Sequence, residues 1–158
     1  MRKIILFLAV LGLSGSLWAA DPIIGTWKLN VAKSTYEPDL QHTVKEQTNV
    51  IKELNGDLYE LTSETLVSND KGNMVLISKV TFPKKGGMEV VQQSATREPF
   101  IVVTMIAPGN WCFTHLHKGK QTWVSHLVVS KDGLTAQENT RGLHQGEPFE
   151  RLLFFEKQ

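Results

Sequence analysis

GTWKLNVAKS, Gly25 to Ser34, decides the fold. Ile23, Gly25, Trp27 and Leu29 alternate with Ile24, Thr26, Lys28 and Asn30, the period-two pattern of a half-buried strand. A tryptophan on the buried side needs a large partner surface. A glycine two residues before it leaves room for a neighbouring backbone or ring to approach.

Upstream, Arg2 and Lys3 precede an apolar run from Ile4 to Leu13, closed by Ser14, Gly15 and Ser16, with Ala19-Ala20 before Asp21. The run is too short to span a bilayer and ends in small residues, so residues 1–20 are predicted to be a cleaved signal peptide and 21–158 one domain. The expected location is the periplasm or outside the cell, and the short, simple signal suits a bacterium. Seventeen Lys and Arg face 16 Asp and Glu; losing Arg2 and Lys3 leaves one net negative charge. That balance argues against nucleic acid and an anionic membrane surface as partners. Cys112 is the only cysteine, which excludes an intrachain disulfide.

Downstream, short strands follow one another with turns between them. Asn55-Gly56 is a strong hairpin signal, and Gly119-Lys120 fits a two-residue loop with glycine first. Residues 31–42 read as a loop with one helical turn. About ten strands are expected and no helix of three turns. Consecutive hairpins without a long crossover make a meander whose open edges invite aggregation; closing it, first strand against last, removes them. The predicted fold is all-β: a single up-and-down antiparallel β-barrel of about eight to ten strands, with Trp27 buried at one end.

Three stretches, GTWKLNVAKS, then VSKDGLT at Val129–Thr135, then FFEKQ at Phe154–Gln158, resemble the calycin superfamily of lipocalins and fatty-acid-binding proteins. The combination is most similar to small bacterial secreted lipocalin-like proteins. The resemblance implies a barrel with an internal cavity for an apolar or amphipathic small molecule. One departure concerns the head group. Fatty-acid-binding proteins end with arginine–any–tyrosine pointing inward, whereas Leu153 and Phe155 occupy those places here and Arg151 lies two residues earlier.

The predicted cavity wall is Leu61, Leu76, Val80, Val102, Thr104, Leu116, Trp123, Leu127 and Arg151, with Arg151 the polar anchor for a ligand that carries an anion. It rests on a register that sets Leu116 opposite Trp123 and His115 opposite Val124. Cys112, Thr114 and Leu116 then face inward with Trp123, Ser125, Leu127 and Val129. Trp111, Phe113, His115, His117, Val124 and His126 face outward. Trp111, Phe113 and Val124 would form an exposed apolar patch for a protein partner; if the faces are reversed, these aromatics fill the core. The three histidines have a spacing that zinc can use, but outward placement makes solvated imidazoles the simpler reading, so no metal and no cofactor are expected. No phosphate loop, nucleophile elbow or zinc signature occurs. The expected function is therefore binding of a small hydrophobic ligand and not catalysis. The alternative is a filled barrel acting through its outer surface as an interaction or inhibitor module.

Overall fold

The computed structural model describes residues 21–37, 43–69, 72–91, 93–94, 100–144 and 146–158. The proposed signal segment lies outside them. Twelve strands run in chain order: β1 (Gly25–Leu29), β2 (Thr35–Glu37), β3 (Thr43–Leu54), β4 (Leu58–Asn69), β5 (Gly72–Pro83), β6 (Gly87–Val91), β7 (Gln93–Ser94), β8 (Phe100–Ala107), β9 (Asn110–His117), β10 (Lys120–Val129), β11 (Thr135–His144) and β12 (Glu147–Lys157). One 3-10 turn, Val31–Lys33, separates β1 from β2. No helix among the described residues is long and apolar enough to cross a membrane.

All pairings are antiparallel within one sheet, ordered β6-β8-β9-β10-β11-β12-β1-β3-β4-β5-β7, with β2 added to β12. β5 and β6 lie side by side across the seam. The fold is a single up-and-down β-barrel. First and last strands pair as the meander requires, with Trp27 opposite Lys157 and Leu29 opposite Phe155. Two strands exceed the expected ten: β2 occupies part of the predicted loop, and the stretch after Gly87 is divided into β6 and β7.

One end of the barrel is packed solid. Trp27 is only 2% exposed, and its indole Nε1 donates to Ile23 O at 2.9 Å. The residues ahead of β1 fold under the barrel: Ile23 is fully buried, and the Tyr59 hydroxyl donates to Asp21 Oδ2. Lys157 Nζ lies 5.0 Å from the centroid of the Trp27 ring and donates to Pro22 O, a cation over an aromatic face. This explains Gly25. A Cβ there would sit 2.5 Å from Lys157 Cε, and the φ of +145° is one that side chains rarely adopt. Tyr59, Phe82, Trp111 and Phe113 complete the plug edge to face, with Phe82 5.4 Å from Trp111 and 5.7 Å from Phe113.

The position of Trp111 and Phe113 corrects the predicted register. The turn centres on Lys118-Gly119, both at positive φ, and pairs His117 with Lys120. A bulge between Gln121 and Trp123 then sets Trp123 opposite His115, Ser125 opposite Phe113 and Leu127 opposite Trp111. One extra residue on a strand reverses every side chain beyond it. β9 therefore buries Trp111 and Phe113, and Cys112, Thr114 and Leu116 face out. β8 turns with it, because Ile101 and Val103 pair with His115 and Phe113 while Val102 and Thr104 pair with Thr114 and Cys112. The result buries two aromatic rings in place of a thiol and a hydroxyl, which the hydrophobic effect favours.

Candidate functional site

Above the plug the barrel is hollow. A cavity of about 130 Å³ lies between the strands. Its apolar wall includes Ile23, Trp27, Ile51, Leu61, Val80, Phe113 and Leu127. Its polar wall has two parts. On β3–β5 the inward residues Gln47, Asn49, Ser63 and Ser78 are neutral. Gln47 Nε2 donates to Asn49 Oδ1 at 3.1 Å and to Ser63 Oγ at 3.3 Å.

The opposite part carries charge. β10, β11, β12 and β2 bring Ser125, Thr140, Arg151 and Tyr36 into one cross-strand row: Ser125 faces Thr140, Thr140 faces Arg151, and Arg151 faces Tyr36. Glu138, two residues before Thr140 on the same face, reaches this row. Thr140 Oγ1 donates to Glu138 Oε1 at 3.0 Å. A hydroxyl has one proton, so across the 2.8 Å Ser125–Thr140 contact Ser125 is the donor. Arg151 Nη2 donates to the same Glu138 oxygen at 3.3 Å, through one nitrogen and not the bidentate fork.

Three polar atoms here are buried without a partner: Arg151 Nε, Tyr36 Oη and His115 Nδ1. Such atoms are uncommon in folded proteins, because each forgoes its hydration for nothing in return. Burial, and then the Arg151 charge, push the His115 pKa down to about 3, so this imidazole is neutral at ordinary pH. Burial raises the Tyr36 pKa, and the phenol keeps its proton. The Trp123 ring stacks on His115 at 4.7 Å and meets the Phe149 edge at 6.4 Å. Gly142 makes that possible: it lies opposite Trp123, and a Cβ there would collide with the Trp123 backbone and Cβ.

Of the residues predicted for the wall, Leu61, Val80, Leu127 and Arg151 line the cavity. Leu76 shares the inward face of β5 with Ser78 and Val80 but is not part of the cavity wall. Trp123 faces inward but covers His115 instead of lining the space. Val102, Thr104 and Leu116 are on the outer face, carried there by the reversal of β8 and β9. The proposed partner patch does not form, since Trp111 is 1% and Phe113 7% exposed and only Val124 stays outside. His126 stands outside, opposite Cys112, while His115 faces the cavity, so the histidines do not converge. Among the described residues no group of three or more His, Cys, Asp or Glu could hold a metal ion. His115, Glu138, Tyr36 and the neutral amides and hydroxyls were not predicted as site residues. Their signal was the parity of Trp111 and Phe113, which fixes His115 as inward.

No family model matches the chain. No curated protein matches it either. Among solved structures it is similar to the S-type phycobiliprotein lyase CPES from Guillardia theta, with 8% identity and a TM-score of 0.55, over 87% of this chain and 89% of that one. A structure of the siderocalin Ex-FABP, described as functioning through dual ligand specificities, aligns with 10% identity and a TM-score of 0.39 over 87% of this chain and 71% of its own. The fold is calycin-like. The expectation that the chain is no enzyme is overturned, because a barrel of the same fold bears the name of a lyase.

Proposed function

We propose that the protein is a lipocalin-like barrel that binds one compact, amphipathic small molecule. The observation that carries this is the cavity of about 130 Å³ with buried, unpartnered polar atoms on one wall. Ligand sites combine an apolar wall with a few convergent polar groups. The size sets the ligand. An apolar cavity of about 150 Å³ takes a benzene-sized guest, so a single ring or short branched chain fits here. The similar phycobiliprotein lyase structure agrees with a barrel built around a guest.

Removal of residues 1–20 and work in a bacterial periplasm or outside the cell belong to the same reading. The basic start, apolar run and small residues before Asp21 support it, as does the use of Asp21 to Ile23 as part of the barrel floor. Native mass spectrometry of protein recovered from its own host tests both parts. The expected result is a chain starting near Asp21 that carries a small adduct lost on unfolding. A chain retaining residues 1–20 overturns the location. An adduct-free protein that also ignores ring-sized probes overturns the binding.

A further inference from the structure

The charge count of the cavity restricts the guest. Among the described residues of the wall, Glu138 and Arg151 are the charged ones, and they are joined, so their formal charges cancel. His115, the other titratable lining residue among those described, is neutral at ordinary pH. Tyr36, beside Arg151 on β2, keeps its proton. An anionic guest would leave one net negative charge inside the barrel, next to the Glu138 carboxylate, with no further cation among the described lining residues to balance it. Burying an unbalanced charge is among the most unfavourable changes a site can make. The unmet hydrogen-bonding capacity nevertheless asks for an acceptor, since Arg151 Nε can only donate. Tyr36 Oη and His115 Nδ1 can each donate or accept.

We propose that the cavity selects small neutral carbonyl compounds, such as amides, lactams or lactones, over the carboxylates of the same shape. The carbonyl oxygen takes the Arg151 Nε–H, an amide N–H has His115 Nδ1 or Tyr36 Oη to donate to, and the hydrocarbon part lies against Trp27, Leu61 and Phe113. This rests on the binding reading above and gives Arg151 a neutral carbonyl to hold in place of an anion. The Glu138 carboxylate, held on the guanidinium by Thr140, is the element that rejects anions.

The probes are two isosteric pairs, butyramide with butyrate and benzamide with benzoate, titrated calorimetrically into the full mature chain at neutral pH. The wild type should bind the amide of each pair at least about tenfold more tightly, a difference near 1.4 kcal/mol. A carboxylate, where it binds, should enter as the neutral acid and take up about one proton per molecule, read by repeating the titration in buffers of different ionisation heat. Glu138→Gln removes the balancing charge and should invert the preference toward the carboxylate. Equal or tighter carboxylate binding by the wild type, without proton uptake, overturns the inference while leaving the binding reading intact. An unaltered preference in a folded Glu138→Gln protein does the same. If neither member of either pair binds, both readings fail. The proton-uptake measurement needs only the wild type, so it stands even if Glu138→Gln does not fold.

Discussion

The two ends of this barrel interior are built on opposite terms. Around Trp27, Tyr59, Phe82 and Trp111, rings meet edge to face; the Trp27 indole and the Tyr59 hydroxyl have acceptors, and the Trp111 indole N–H alone of these is buried without one. Beside Arg151 and His115 there is empty space, and a buried atom on each, and on the neighbouring Tyr36, lacks a partner. Close packing with satisfied polar groups is what stability favours. A void beside unpaired donors opposes stability, and such arrangements persist where function holds them. The floor keeps the barrel closed, and the middle is kept open for a guest.

The largest effect should come from the floor. Trp27→Ala removes a ring that touches Ile23 and carries Lys157 above it, and should cost about 3–5 kcal/mol in urea unfolding, as buried aromatic truncations do. A change under about 1 kcal/mol would mean that the end is not a packed plug. The comparison sharpens with Thr140→Val. The methyl replaces the hydroxyl that serves both Ser125 and Glu138, so the loss should be about 1–3 kcal/mol, the range for leaving buried groups unsatisfied. A neutral result would mean that the row is solvated.

Acid should distinguish the regions next. The folded His115 pKa, about 3, lies below its ordinary value of 6.5. Between those values the unfolded chain binds the extra proton, so stability falls as pH drops through the window. Removing the imidazole in His115→Gln should flatten that part of the pH profile relative to wild type, and parallel profiles would place His115 in contact with water. At the small end, Lys33→Ala breaks an exposed ion pair with Glu156. It should leave the unfolding midpoint where it was, as most exposed pairs do.

How much of this was legible depends on whether each strand carries a clean alternation. β11 does: Ala136, Glu138 and Thr140 contrast with Gln137, Asn139 and Arg141, and the sequence puts the first set inside, where the structure has it. GTWKL does too, with Gly25 and Trp27 both placed by their shapes. β8 does not, because Ile101, Val102 and Val103 are apolar on both faces, so its orientation is inherited from β9. The orientation of β9 hangs on the bulge near Thr122, where neither Gly nor Pro marks the extra residue. The polar corner was hidden for another reason. Arg151 stood out alone, but its row is assembled from four strands, and β2, which supplies Tyr36, looked like loop.

The central claim is that Arg151 Nε waits, unpartnered, for an acceptor brought by a compact guest. The most direct measurement is the Arg151 Nε–H cross-peak in a proton–nitrogen spectrum, assigned by its loss in Arg151→Lys, followed through a benzamide titration. The account predicts a saturable downfield shift of that proton with the same midpoint as the change in Trp27 indole fluorescence. Saturation of the fluorescence with the Arg151 Nε–H resonance unmoved, or no response in either signal, would contradict it.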